Sequence, residues 1–203
     1  VHRQGRQPNN RVIKKNMDNM RRILGTLLLL LVVATGFAQP KYIFYFIGDG
    51  MGPSHVRGTE LFLSELYGKE YRVPFTGFPN VAFATTHSAS NGVTDSAASG
   101  TALATGSKAN NGYIGVDANG NDVYSIAHKA KEKGLAVGIA TTVPINHATP
   151  SAFYAHNKSR NNYHDIAQWM LTADYDFYAG GDAKCTSEQH ETLYSKAQKQ
   201  GYT

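Results

Sequence analysis

The stretch Val93-Thr94-Asp95-Ser96-Ala97-Ala98-Ser99-Gly100-Thr101-Ala102 sets a serine where a helix should begin. Thr94 and Asp95 are side-chain types that cap helix N-termini, and the small residues after Ser96 permit close helix packing. A helix start offers unpaired N–H groups and the positive end of the dipole, so Ser96 is well placed to meet a phosphate or carry an alkoxide. Taken alone, the stretch is equally at home as a packing feature. Its neighbours decide what it is for.

Upstream, Tyr42-Ile43-Phe44-Tyr45-Phe46-Ile47 is a short apolar and aromatic run that breaks into Gly48-Asp49-Gly50-Met51-Gly52. The pattern predicts a buried strand feeding a tight loop, with Asp49 at the strand's carboxyl end. That edge of an open α/β sheet is where ligands collect, and an acid between glycines leaves room for a hard cation. The spacing is neither that of a Walker loop nor of a dinucleotide fingerprint, and no lysine follows the glycines. A third block lies past the apolar run Leu135-Ala136-Val137-Gly138-Ile139-Ala140-Thr141. It is Pro144-Ile145-Asn146-His147-Ala148-Thr149-Pro150-Ser151, with Arg160 farther along. His147 and Thr149, two apart, could both face a metal from an extended loop, and a following helix could carry Arg160 back over it. A planar guanidinium suits phosphate because it donates parallel hydrogen bonds.

Together, Gly48-Asp49-Gly50-Met51-Gly52, Thr94-Asp95-Ser96-Ala97-Ala98-Ser99-Gly100-Thr101-Ala102 and His147-Ala148-Thr149-Pro150-Ser151-Ala152 through Arg160 resemble the alkaline phosphatases in content, order and spacing. The resemblance runs from about Lys41 to Thr203. It implies a metal-dependent phosphomonoesterase with a three-layer α/β/α sandwich and a mostly parallel central sheet. It implies Ser96 as the nucleophile that becomes phosphoserine, Asp49 as the carboxylate bridging one zinc and the magnesium, and Thr149 as a hydroxyl ligand of the magnesium. Arg160 resembles the arginine that clamps the phosphate, Asp95 would orient it, and His147 falls near the third metal. Two Zn2+ per subunit, one Mg2+ and a homodimer are implied for the complete enzyme. The family draws its remaining metal ligands from a second half whose motifs do not occur before Thr203, so the expectation for residues 40–203 is the nucleophile-bearing N-terminal part, inactive alone. A related phosphodiesterase or phosphomutase, or a non-catalytic phosphate- or metal-binding fragment, is the alternative. A sulfatase is disfavoured, because the Pro and Arg that follow its maturing residue are absent after Ser96.

Composition narrows the partners. The chain has 203 residues and a formal charge of +5, but seven bases and only Asp18 as an acid fall in residues 1–22. The remainder holds 13 bases against 14 acids, so a basic isoelectric point gives no argument for nucleic acid. Met20-Arg21-Arg22, an apolar run through Ala34 and Gly36-Phe37-Ala38 have the three sections of a secretory signal, with cleavage near Ala38 or Gln39. The apolar stretch is shorter than the about 20 residues of a membrane span, so no stable anchor is expected and residues 1–39 are read as leader plus signal for a periplasmic or secreted protein. Cys185, alone, is expected to pack and not to react.

Positioning these groups requires alternating elements. Helices are expected from Pro53 to Leu66, from Ser96 to about Thr105 before Gly106, from Val123 to Lys133, from Tyr163 to Ala173 and from Glu188 to Gln200. Strands are expected at 42–47, 81–85, 135–141 and 175–178, and the turn-rich stretches Asn110-Asn111-Gly112 and Asp117 to Asn121 read as an exposed ribbon or loop.

Overall fold

The structure, a computed structural model, describes residues 19–21, 24 and 40–203. The leader and secretory signal expected over residues 1–39 lie outside the described residues at all but four positions. Among the described residues no helix is long and apolar enough to cross a membrane. The chain divides into two units, Val1–Ile47 and Gly48–Thr203.

In the first unit, residues 40–47 form no helix or strand, with a bend at Lys41. The buried strand expected at 42–47 is not found: Ile43 and Phe44 are each 78% exposed and Phe46 87%. A strand in a parallel sheet is buried by neighbours on both edges and by helices on its faces, and no described strand pairs with this one. Phe44 and Phe46 instead stack on each other, with ring centroids 6.4 Å apart.

The second unit begins with a tight turn in which Met51 N–H donates to Gly48 C=O, followed by helix α1, Pro53–Tyr67. Gly52 caps α1 and Pro53 fills its first turn, where a missing N–H costs nothing. No α1 residue is buried. A short 3-10 turn, Pro74–Gly77, follows. The strand expected at 81–85 is likewise not found: these residues are exposed and form no ladder among the described residues.

Helix α2, Ser96–Thr105, starts and stops where the capping residues predict. Asp95 caps it by accepting from Ala98 N–H at 2.9 Å, and Gly106 ends it in the left-handed conformation. Then come α3, Ile126–Glu132; strand β1, Gly138–Ala140; α4, Ala148–Ser151; α5, Tyr163–Ala173; strand β2, Phe177–Ala179; and α6, Ser187–Lys199. β1 and β2 pair in parallel, Gly138 opposite Phe177 and Ala140 opposite Ala179. The fold class is α/β with a parallel sheet, as the alternation of helix and strand predicts. Residues 110–112 are half-buried, not exposed, and residues 117–121 are exposed or half-buried, with Val116 bridged to Asp122 and Ile114 and Val116 buried between the two stretches.

The core draws on Ala97, Ile114, Val137, Tyr154, Ile166 and Tyr175, with a second cluster of Ile145, Ala167, Ala183 and Leu193. Cys185 packs beside that second cluster, as expected. Ala97 and Ala148 lie in the first cluster because α2 packs against α4, and Gly100 sets how closely. A Cβ on Gly100 would stand 3.2 Å from Ala152 Cβ and 3.4 Å from Thr149 Cα. The small-residue run after Ser96 therefore serves packing as well as the helix start, and what it packs against is the element that carries Thr149.

Candidate active site

Asp49 draws the three sequence blocks together. Its carboxylate accepts from Ser96 Oγ at 3.0 Å and, through the other oxygen, from Thr149 Oγ1 at 2.9 Å, spanning 47 and 100 residues of chain. Each partner is held by its own element. Asp49 lies in the tight turn ahead of α1, Ser96 is the first residue of α2, and Thr149 is on α4, fixed against Gly100. The expectation that His147 and Thr149 share an extended loop is corrected: His147 caps α4 and Thr149 is helical, because Ser151 and Ala152 N–H close turns back onto His147 and Ala148 C=O.

Asp95 is the second centre. One carboxylate oxygen takes Ala98 N–H, and the other takes Gly112 N–H at 3.1 Å and Arg160 Nη1 at 3.0 Å. Partial burial pushes this carboxyl up, but the two backbone donors and the guanidinium outweigh it and hold the pKa below the ordinary aspartate value. Arg160 does not ride on a helix, as expected from the sequence. It sits in the turn ahead of α5, anchored by its own N–H on Gly112 C=O at 2.9 Å. Asp95 uses one Nη1 donor, which leaves other guanidinium donors for an anion.

His147 is half-buried, and its Nδ1 has no hydrogen-bond partner. Burial holds its pKa below the usual histidine value, helped by the charges of Arg160 and Lys184 and opposed by Asp49. The neutral imidazole that results has an unused ring nitrogen, the state in which histidine ligates a metal. The Asp49 carboxylate and the Ser96 and Thr149 hydroxyls make an all-oxygen group, which suits a hard divalent cation. The same group does not suit zinc by itself: among the described residues no three His, Cys, Asp or Glu side chains converge as a metal site. Two histidines away from this group have structural partners, His156 Nδ1 on Gly115 O at 2.7 Å and His190 Nε2 on Asp182 at 2.8 Å. Sequence reasoning passed over Asn111 and Gly112 as turn residues; the Asn-Asn-Gly run was the available signal, but its partner could not be read from it.

The profile of the family described as alkaline phosphatase matches residues 40–184. The chain belongs to that family. The alkaline phosphatase of the domestic cat, tissue-nonspecific isozyme, is 42% identical over 138 residues, which are 62% of this chain and 26% of the relative. Among solved structures, the cold-active alkaline phosphatase of Shewanella sp. aligns with a TM-score of 0.70 at 42% identity, over 77% of this chain and 39% of that one. A histidine-to-glutamate mutant of the alkaline phosphatase from the Antarctic bacterium TAB5, with Mg bound in its M3 site, aligns with a TM-score of 0.57 at 36% identity, over 66% and 37%. The chain thus spans between 22% and 38% of the length of curated relatives that it matches. The α/β fold with a parallel sheet is consistent with the alkaline phosphatase architecture.

Proposed function

We propose that this chain supplies the nucleophile-bearing N-terminal part of an alkaline phosphatase that hydrolyses phosphate monoesters through a phosphoserine at Ser96. The single observation that carries the reading is Asp49, bonded at once to Ser96 and Thr149. Family membership supports monoester hydrolysis, and the chain's 22–45% share of its relatives supports its being part of a longer enzyme.

Phosphate monoesters are dianions that hydrolyse extremely slowly in water, so the oxygens must be neutralised and the nucleophile and leaving group aligned. Asp49 orients Ser96 Oγ, and the first turn of α2 points free N–H groups toward an anion in front of it. Arg160, held by Asp95, donates its remaining N–H groups to the phosphoryl oxygens. As the Oγ–P bond forms, the P–O bond to the alcohol breaks; the alcohol carries away the proton that Ser96 gives up, and water then cleaves the phosphoserine to inorganic phosphate. Mg2+ would be held by Asp49 and Thr149 with His147 nearby, and Zn2+ would be held in part by Asp49 and Ser96; bound metals supply charge neutralisation and lower the pKa of a coordinated hydroxyl. The complete enzyme is then a homodimer in the periplasm or outside the cell, directed there by the signal-like pattern of residues 20–38.

The test compares the 203-residue chain with the full-length protein, each supplied with Zn2+ and Mg2+, on an aryl phosphate and on its diester. The full-length protein should prefer the monoester, and Ser96→Ala should lower kcat on the order of 10⁴-fold or more. Retention of activity by Ser96→Ala contradicts the nucleophile, and preference for the diester favours the phosphodiesterase alternative.

A further inference from the structure

We infer that Asn111 is a positioning residue for phosphate binding, acting through the Asp95–Arg160 pair. The inference rests on the phosphatase reading and adds to it a group that touches neither the nucleophile nor the clamp's guanidinium. Asn111 Oδ1 accepts from Asp95 N–H at 3.3 Å, and its Nδ2 donates to Val93 C=O at 3.0 Å. Those two bonds fix the backbone on the approach to Ser96, because residues 93–95 run directly into the first turn of α2. Asn111 is itself held from the other side, its N–H donating to Ser90 Oγ at 3.0 Å.

The next residue completes the brace. Gly112 N–H donates to the same Asp95 oxygen that receives Arg160, and Gly112 C=O accepts Arg160 N–H. Gly112 has φ +85°, a left-handed conformation that glycine adopts without strain. One two-residue turn therefore grips the nucleophile's helix cap by its backbone and side chain, and the clamp arginine by its backbone. A guanidinium a fraction of an ångström out of place loses its parallel hydrogen bonds to phosphate, so the brace sets anion affinity without touching the anion.

The experiment is a double-mutant cycle in the full-length, metal-loaded protein, read by the Kd for inorganic phosphate and by KM and kcat for an aryl phosphate. Asn111→Ala should raise Kd and KM about five- to tenfold with a smaller change in kcat. The same change should have little effect in an Arg160→Ala background, because its effect passes through Arg160. Ser90→Ala, a milder loss, should move Kd in the same direction by a smaller factor and serves if Asn111→Ala does not fold. Wild-type protein that binds no phosphate overturns the phosphatase reading and the brace with it. Wild-type binding with Kd unchanged in both variants, or a loss equally large with Arg160 absent, overturns the brace alone.

Discussion

Asp95 does three jobs with one carboxylate, and its titration reports on all of them. Because its donors outweigh its burial, its folded pKa lies below its unfolded one. The stabilisation it gives is therefore fully present above the unfolded aspartate pKa and is lost as pH falls from there through the folded value. NMR titration of the Asp95 carboxyl should show a midpoint below that of an exposed aspartate, and Asp95→Asn should flatten the acid limb of the stability profile. A normal midpoint would mean that the cap and the ion pair are not formed together. Replacing Asp95 by alanine should cost about 1–2 kcal/mol of stability through the lost cap alone and also raise KM, because Arg160 loses its partner. Arg160→Ala, which removes the proposed phosphate clamp, should lower kcat/KM by about 10²- to 10³-fold, measured on an aryl phosphate.

The elements show which parts of the chain speak for themselves. α2 was legible to the residue because its signals are local: Asp95 before it, Gly106 after it and small residues between. α5 and its boundaries follow from the 3.6-residue recurrence that buries Ile166 and Ala167. The strands at 42–47 and 81–85 have the right side chains, but pairing and burial come from distant segments that no window of sequence contains. The same limit hid the helical turn that carries Thr149 and the turn that carries Arg160. Gly100 is where an element's packing reaches the site. Gly100→Leu should drive α4 away from α2, cost about 1–3 kcal/mol in thermal or denaturant unfolding, and weaken catalysis through Thr149. Unchanged stability would mean that the two helices do not pack as closely as Ala152 Cβ and Thr149 Cα require.

At the scale of the whole chain, apolar surface is divided unevenly. Residues 96–203 carry both core clusters, whereas α1 buries nothing, and Phe62, Phe78, Val81 and Phe83 are 62% to 102% exposed. Large apolar side chains left this exposed are available to a contact face and are an aggregation hazard. The isolated 203-residue chain should therefore bind a hydrophobic dye strongly and sediment as more than a monomer, and the full-length protein should do so far less; equal dye binding by the two would contradict the partial-enzyme reading. The turn of Asp49, the start of α2 and the Thr149 helix meet at Ser96. The most direct measurement is an acid quench of the full-length protein turning over a phosphate monoester, followed by peptide mass spectrometry. One phosphoryl group is expected on the peptide containing Ser96, absent from Ser96→Ala. Turnover with phosphate trapped on another residue, or with active Ser96→Ala protein, would contradict a phosphoserine at Ser96.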